Sequence, residues 1–169
     1  TTNIDGRVNS MEEILEILER NSKYSVEEIA VMLDKSVEEV RAEIKRLEKE
    51  NIIAGYNTLV NWEKTSKEVV TALIEVRATP QKGEGFDRIA ERIYRYPEVT
   101  ACYLMSGGFD LTVIIEGKSM KEVALFVAEK LSLLDSVIST STHFVLKRYK
   151  DKGIELEKKQ KDDREVVIL

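Results

Sequence analysis

The chain has 169 residues, 43% of them hydrophobic and 34% charged, with a formal net charge of −5. That composition describes a globular chain of one or two domains and excludes one that is disordered throughout. No apolar run approaches the roughly 20 residues of a membrane helix, and the opening residues lack the basic and apolar regions of a secretory signal, so a cytoplasmic protein without a membrane partner is expected.

Residues 1–10, TTNIDGRVNS, read as an added leader outside the fold, because an amphipathic helix opens at Met11 and carries Ile14, Leu15, Ile17 and Leu18 on one face as far as Asn21. Two short helices follow. Ser25 with Glu28, and Ser36 with Glu39, have the spacing of a capping box, in which the hydroxyl accepts from the third residue's N–H and the carboxylate reaches back. Ile29, Ala30 and Leu33 form one apolar stripe, and Val37, Val40, Ile44 and Leu47 another. Only Asp34 and Lys35 are left for the turn. Asn51 suits the left-handed position that closes a helix, and Ile52 to Tyr56, running on through Asn57 to Val60, is where a wing or exit strand would lie. Residues 11–60 thus outline a winged helix-turn-helix, whose second helix enters the major groove in DNA-binding versions. The polar stretch 61–68 reads as a linker, with Trp62 at the domain junction.

Charge complicates a DNA reading. Residues 1–60 hold 8 Lys+Arg against 13 Asp+Glu, while the remainder is balanced at 18 of each. Non-specific DNA affinity comes largely from cations that displace counterions, and the second helix carries Glu38, Glu39, Glu43, Glu48 and Glu50 beside its bases. Glu39 is explained by capping. Glu38 either accepts from a cytosine amino group or is simply solvated. Arg41, Lys45, Arg46 and Lys49 are the candidate DNA contacts, with Ser36 as a phosphate partner at the helix start.

Beyond Val69 the order reads strand, helix, strand, strand, helix, strand. The strand at 69–78 ends at Pro80 and a loop at 83–85. A helix holding Phe86, Ile89, Ala90 and Ile93 stops at Pro97. Val99 to Met105 and Leu111 to Ile115 flank SGGFD, a hairpin signal. Ser119 and Glu122 suggest a third capping box, opening a helix with Val123, Phe126, Val127 and Leu131 inside; the last strand is 139–146. Two strand-helix-strand units on one sheet make a ferredoxin-like βαββαβ domain over 69–150, the whole chain being α+β. Both helices cover one face, so a second subunit is the expected cover for the other.

From Met11 to Lys150 the chain resembles the leucine-responsive regulator and asparagine regulator (Lrp/AsnC, feast/famine) family of transcription factors. The helix-turn-helix, RLEKENIIAGYNTLVN, SGGFDLTVII and THFVLKRYK carry the resemblance by their order and spacing. It implies an N-terminal reader of double-stranded DNA and a C-terminal ligand-sensing domain that forms homodimers and often rings of dimers. It also implies an amino-acid effector bound between subunits near the glycine hairpin, with no cofactor or metal. Carried onto this chain, the effector site is Ser106, Gly107, Gly108, Phe109 and Asp110. Independently of the family, glycines let a carboxylate approach backbone N–H groups, and Asp110 could hold an α-ammonium; the alternative is a plain turn with Asp110 bonding its own loop. Thr140 and Thr142 either add hydroxyl contacts or fill a β surface.

The tail 151–169 is densely charged but ends in Val166, Val167, Ile168 and Leu169, which either dock on a neighbouring subunit or end a disordered segment. Against the regulator reading stands an oligomeric metabolite-binding interaction protein with little DNA binding. An enzyme is not expected: His143 is the sole histidine, Cys102 sits in an apolar strand pattern, and neither has a catalytic or metal-spaced set around it.

Overall fold

The computed structural model describes residues 3–80 and 85–157. The chain divides after Thr58 into two compact units.

The first unit is three helices, α1 (Asn3–Arg20), α2 (Val26–Met32) and α3 (Val37–Lys49). α1 starts at Asn3, upstream of the Met11 at which the helix was expected to open. Ile14 and Leu18 of α1, Ile29 and Ala30 of α2, and Val40 and Leu47 of α3 form the buried core. Both capping boxes exist. Glu28 N–H donates to Ser25 Oγ at 3.1 Å and Ser25 N–H to the Glu28 carboxylate at 2.7 Å; the Ser36–Glu39 pair repeats this at 3.2 and 3.0 Å.

The two helix ends match each other as well. After α2, Lys35 N–H donates to Ala30 O and Asp34 N–H to Val31 O; after α3, Ile52 N–H donates to Leu47 O and Asn51 N–H to Glu48 O. These are the paired bonds of a Schellman motif, which needs a left-handed residue just past the helix. Asp34 (φ 51°) and Asn51 (φ 56°) supply it. The strand expected at Ile52 to Tyr56 does not form: the closing turn uses the backbone of Ile52 and Ile53, both donating to Leu47 O, and no strand precedes Val70 among the described residues.

The second unit contains β1 (Val70–Ala78), α4 (Phe86–Tyr94), β2 (Val99–Leu104), β3 (Leu111–Gly117), α5 (Met120–Phe126, continued by a π turn Val127–Leu131) and β4 (Val137–Phe144). The sheet order is β2-β3-β1-β4 and every pairing is antiparallel, the ferredoxin-like arrangement expected. β4 lies two residues upstream of its expected span. The loop expected at 83–85 falls mostly outside the described residues. Ala72, Ile74, Val76, Leu111, Val113 and Ile115 project from one sheet face onto Ile89 and Ile93 of α4 and Val123 and Phe126 of α5. The third capping box is only half built: Glu122 N–H donates to Ser119 Oγ, but the Glu122 carboxylate accepts from Lys118 N–H rather than from Ser119.

One element was not anticipated. The tail expected from residue 151 begins as a hairpin, β5 (Lys150–Asp151) with β6 (Ile154–Glu155). Its two turn residues, Lys152 (φ 44°) and Gly153 (φ 79°), both have positive φ, as a two-residue type I′ connection requires. The apolar end at 166–169 lies outside the described residues.

Two outcomes test the helix termini. Asn51→Val forces a β-branched residue into left-handed backbone and should destabilise the first unit by about 1–2 kcal/mol, while Asn51→Gly should be neutral or stabilising; urea unfolding followed by circular dichroism measures both. The hydrogen bonds from the Ser36 hydroxyl and N–H, aided by Lys35, hold the Glu39 carboxyl below its ordinary value of 4.5. A carboxyl depressed on folding contributes stability above its unfolded value and loses it as pH falls through the folded one. In Glu39→Gln that acid-dependent part of the unfolding curve should vanish.

Candidate functional site

Helical spacing sorts the charges of α3. Val40 and Leu47 point into the core, so Glu38, Ala42, Lys45 and Lys49 lie on the opposite face. Four of the five acids have partners within the unit. Glu39 caps the helix; Glu43 and Glu50 both hold Arg46, each at 2.6 Å; Glu48 accepts from the Tyr56 hydroxyl at 2.9 Å. Among the described residues, Glu38, Lys45 and Lys49 make no ion pair. The acids that made this helix look hostile to phosphate keep their charge, but apart from Glu38 they lie on its flanks, and two lysines stand clear on the outward face against that one glutamate.

The remaining candidates are engaged to different degrees. Arg41 pairs with Glu27 of α2 at 2.9 Å, but both side chains are more than half exposed, and such surface pairs exchange readily for another anion. Arg46 is bound twice and also approaches the sulfur of Met11 on α1, so it braces two helices. The Ser36 hydroxyl donates to Glu39 at 2.7 Å while accepting from its N–H, which leaves its single proton committed to the cap.

At the glycine hairpin between β2 and β3, Met105 N–H donates to Asp110 O at 2.8 Å and closes the loop. The Asp110 side chain does not bond its own turn. The residue's N–H donates to Val76 O at 3.0 Å, and its carboxylate accepts from Ala78 N–H at 2.8 Å, where the β1–β4 register shifts between Arg77 and Ala78. The side chain thus substitutes for a ladder partner at the end of β1, with one oxygen taken. Gly107 (φ 154°) and Gly108 have no heavy atom within 4 Å of where a Cβ would sit; with Ser106 they are exposed, and Phe109 is half-buried. Thr140 and Thr142 lie opposite Val76 and Ile74 on the helix-covered face of β4. β1 separates them from the hairpin, so the structure does not gather all seven residues into one pocket within the protomer.

Three features escaped the sequence reading. His143 lies on the open sheet face beside Glu75 (3.4 Å) and Ser141 (3.3 Å). Both approach the same nitrogen, Nε2, whereas a Ser-His-acid relay needs one partner on each ring nitrogen, so the trio is not a catalytic array. Among the described residues no cluster of His, Cys, Asp or Glu could hold a metal, and no helix is long and apolar enough to cross a membrane. The second feature is Arg148, whose guanidinium donates to Thr71 Oγ1 at 2.5 Å and to Glu116 at 3.2 Å. The third is a cavity of about 360 Å³ bounded by the turn at Trp62, the start of β1, Arg148 and Leu156. Trp62 is half-buried there, beneath Lys67 at 4.1 Å from the ring centre. The Lys152-Gly153 pair was the legible signal for the hairpin that brings Leu156 into this wall.

Comparison with known proteins agrees with this architecture. Residues 71–155 match the Lrp/AsnC ligand binding domain and residues 10–54 a winged helix-turn-helix DNA-binding domain. An uncharacterized HTH-type transcriptional regulator of Bacillus subtilis, YugG, is 53% identical, with 92% of this chain and 94% of that protein covered. Another, from Pyrococcus furiosus, is 35% identical over 82% and 90%. Among solved structures, the L-Met complex of a transcriptional regulator from Neisseria meningitidis superimposes with a TM-score of 0.66 at 24% identity, covering 83% of this chain and 90% of that one. A reader whose capped helix presents lysines, joined to an antiparallel sensor sheet and matched by relatives along nearly its whole length, makes this chain a member of the Lrp/AsnC family of DNA-binding transcriptional regulators, which pair a helix-turn-helix with a ligand-binding domain.

Proposed function

We propose that this regulator binds operator DNA through the outward face of α3 and that an amino acid bound at the glycine hairpin, between subunits, sets its affinity. The observation that carries the DNA half is the sorting of charge on α3, which leaves Lys45 and Lys49 clear of internal partners while Glu43, Glu48 and Glu50 are occupied. Arg41 joins them by exchanging Glu27 for phosphate. Ser36 and Arg46 act indirectly, by fixing the start and flank of the helix.

The effector half is supported by the open space over Gly107 and Gly108, which leaves backbone N–H groups approachable by a carboxylate, and by the methionine held by the Neisseria meningitidis regulator. One protomer does not close this site. A second copy against the open sheet face supplies the missing wall, and that face carries half-buried Leu73 and Ile114 beside exposed Tyr103. Dimers also help the reader, because a second half-site contact benefits from effective concentration. The protein works in the cytoplasm.

Charge reversal tests the DNA face. Lys45→Glu with Lys49→Glu should weaken binding to a labelled fragment from upstream of its gene by at least roughly tenfold and reduce the slope of log affinity against log salt by about 2 for each subunit engaged. Fluorescence anisotropy at two salt concentrations, with unrelated DNA as competitor, reads both; parent-like binding by the double variant would refute this face. If the parent itself fails to bind at low salt while its oligomer is intact, the protein is instead a metabolite-binding interaction protein. For the sheet face, Tyr103→Asp should lower the mass in solution to that of a monomer, by sedimentation, with the circular dichroism spectrum unchanged.

A further inference from the structure

We propose that the cavity beside Trp62 is a second ligand site, distinct from the glycine hairpin, and that it takes a small carboxylate bearing an apolar tail. The walls define the tail. Val70, Val145 and Leu156 line the cavity together with Trp62, and about 360 Å³ falls in the range of small-molecule pockets.

Arg148 defines the head group. Its side chain is only 25% exposed, yet one terminal nitrogen makes both of its side-chain hydrogen bonds, to Thr71 and Glu116. The other terminal nitrogen lies 3.8 Å from Asp151, beyond hydrogen-bond range, and Nε has no partner among the described residues. A guanidinium presents five donors in a planar fork suited to a carboxylate. One held three-quarters out of water with most of its donors unused is poised for an acceptor. Of the acids at the rim, Glu68 is exposed, and Glu63, also exposed, accepts from the Arg148 backbone N–H at 3.5 Å, while Lys67 adds a second cation above the indole.

The cavity is a built feature of the second unit. Asn61 Nδ2 donates to Leu156 O at 3.2 Å, tying the turn at Trp62 to the terminal hairpin, and Leu156 N–H donates to Tyr149 O. Lys147 pairs with Glu157 at 2.6 Å on the same edge. An occupant therefore rests against the chain segment that leads from the helix-turn-helix unit into the sensor.

Trp62 is the only tryptophan, so its fluorescence reports occupancy in the full-length protein. Titration with 3-phenylpropanoate should give a saturable change, and 3-phenylpropanamide, which lacks the charge, should give none. Arg148→Lys, which keeps the charge but loses the fork, should weaken the response at least about tenfold. Val145→Phe, which fills the cavity from its rim, should do the same without touching any charge. Asp110→Asn, at the glycine hairpin, should leave the response unchanged, which separates this site from the proposed effector site. No response up to about 10 mM, an equal response to the amide, or a response retained in both Arg148→Lys and Val145→Phe with native circular dichroism would overturn the assignment.

Discussion

β1 is the strand on which the sensor unit depends. It pairs along its length with β3 on one side and β4 on the other, and its Ala72, Ile74 and Val76 are completely buried beneath the helices. A central strand satisfies its backbone groups on both edges and contributes a full apolar row to the core, the combination that makes sheet formation cooperative. Both ends of this strand are then secured by side chains from elsewhere. Asp110 takes the Ala78 N–H at one end, and Arg148 takes the Thr71 hydroxyl at the other.

Those two end contacts lie at the two places where the unit has chemistry to offer. At the Ala78 end the glycine hairpin is held by a carboxylate that cannot be fully given over to a ligand, because one of its oxygens completes the sheet. At the Thr71 end a largely buried guanidinium faces a cavity walled by tryptophan and aliphatic side chains. Loops anchored to a rigid strand can be exposed and still well positioned, as binding residues need to be.

The helix-turn-helix unit shows a different economy. Its α2 and α3 have only seven and thirteen residues, too few to hold together by propensity alone. Capping boxes at both N-termini and Schellman turns at both C-termini satisfy the backbone groups that such short helices leave open. The same glutamates that lower the net charge of this unit do this work: two close capping boxes, two grip Arg46 and one holds Tyr56. A count of charges along the sequence is therefore an incomplete guide to the field that DNA would meet, since the position of each carboxylate on the helix decides how near it comes to phosphate.

Most of the architecture was legible in the sequence because it is written in local rules. Serine-glutamate spacing located the starts of α2 and α3, apolar periodicity marked their inner faces, Asn51 marked an end, and alternating apolar runs around SGGFD marked the hairpin of β2 and β3. Where local signals were outweighed, the reading erred: Ile52 to Tyr56 has β-prone residues but closes a helix, because the backbone of Ile52 and Ile53 is already committed to Leu47 O. Sequence also named the residue types available for binding DNA and ligand. Only tertiary structure decided which of them are available, because hydrogen bonds and ion pairs between residues distant in the chain, Arg41 with Glu27, Ala78 with Asp110 and Arg148 with Thr71, depend on how the elements pack and leave no periodic trace in the order of amino acids.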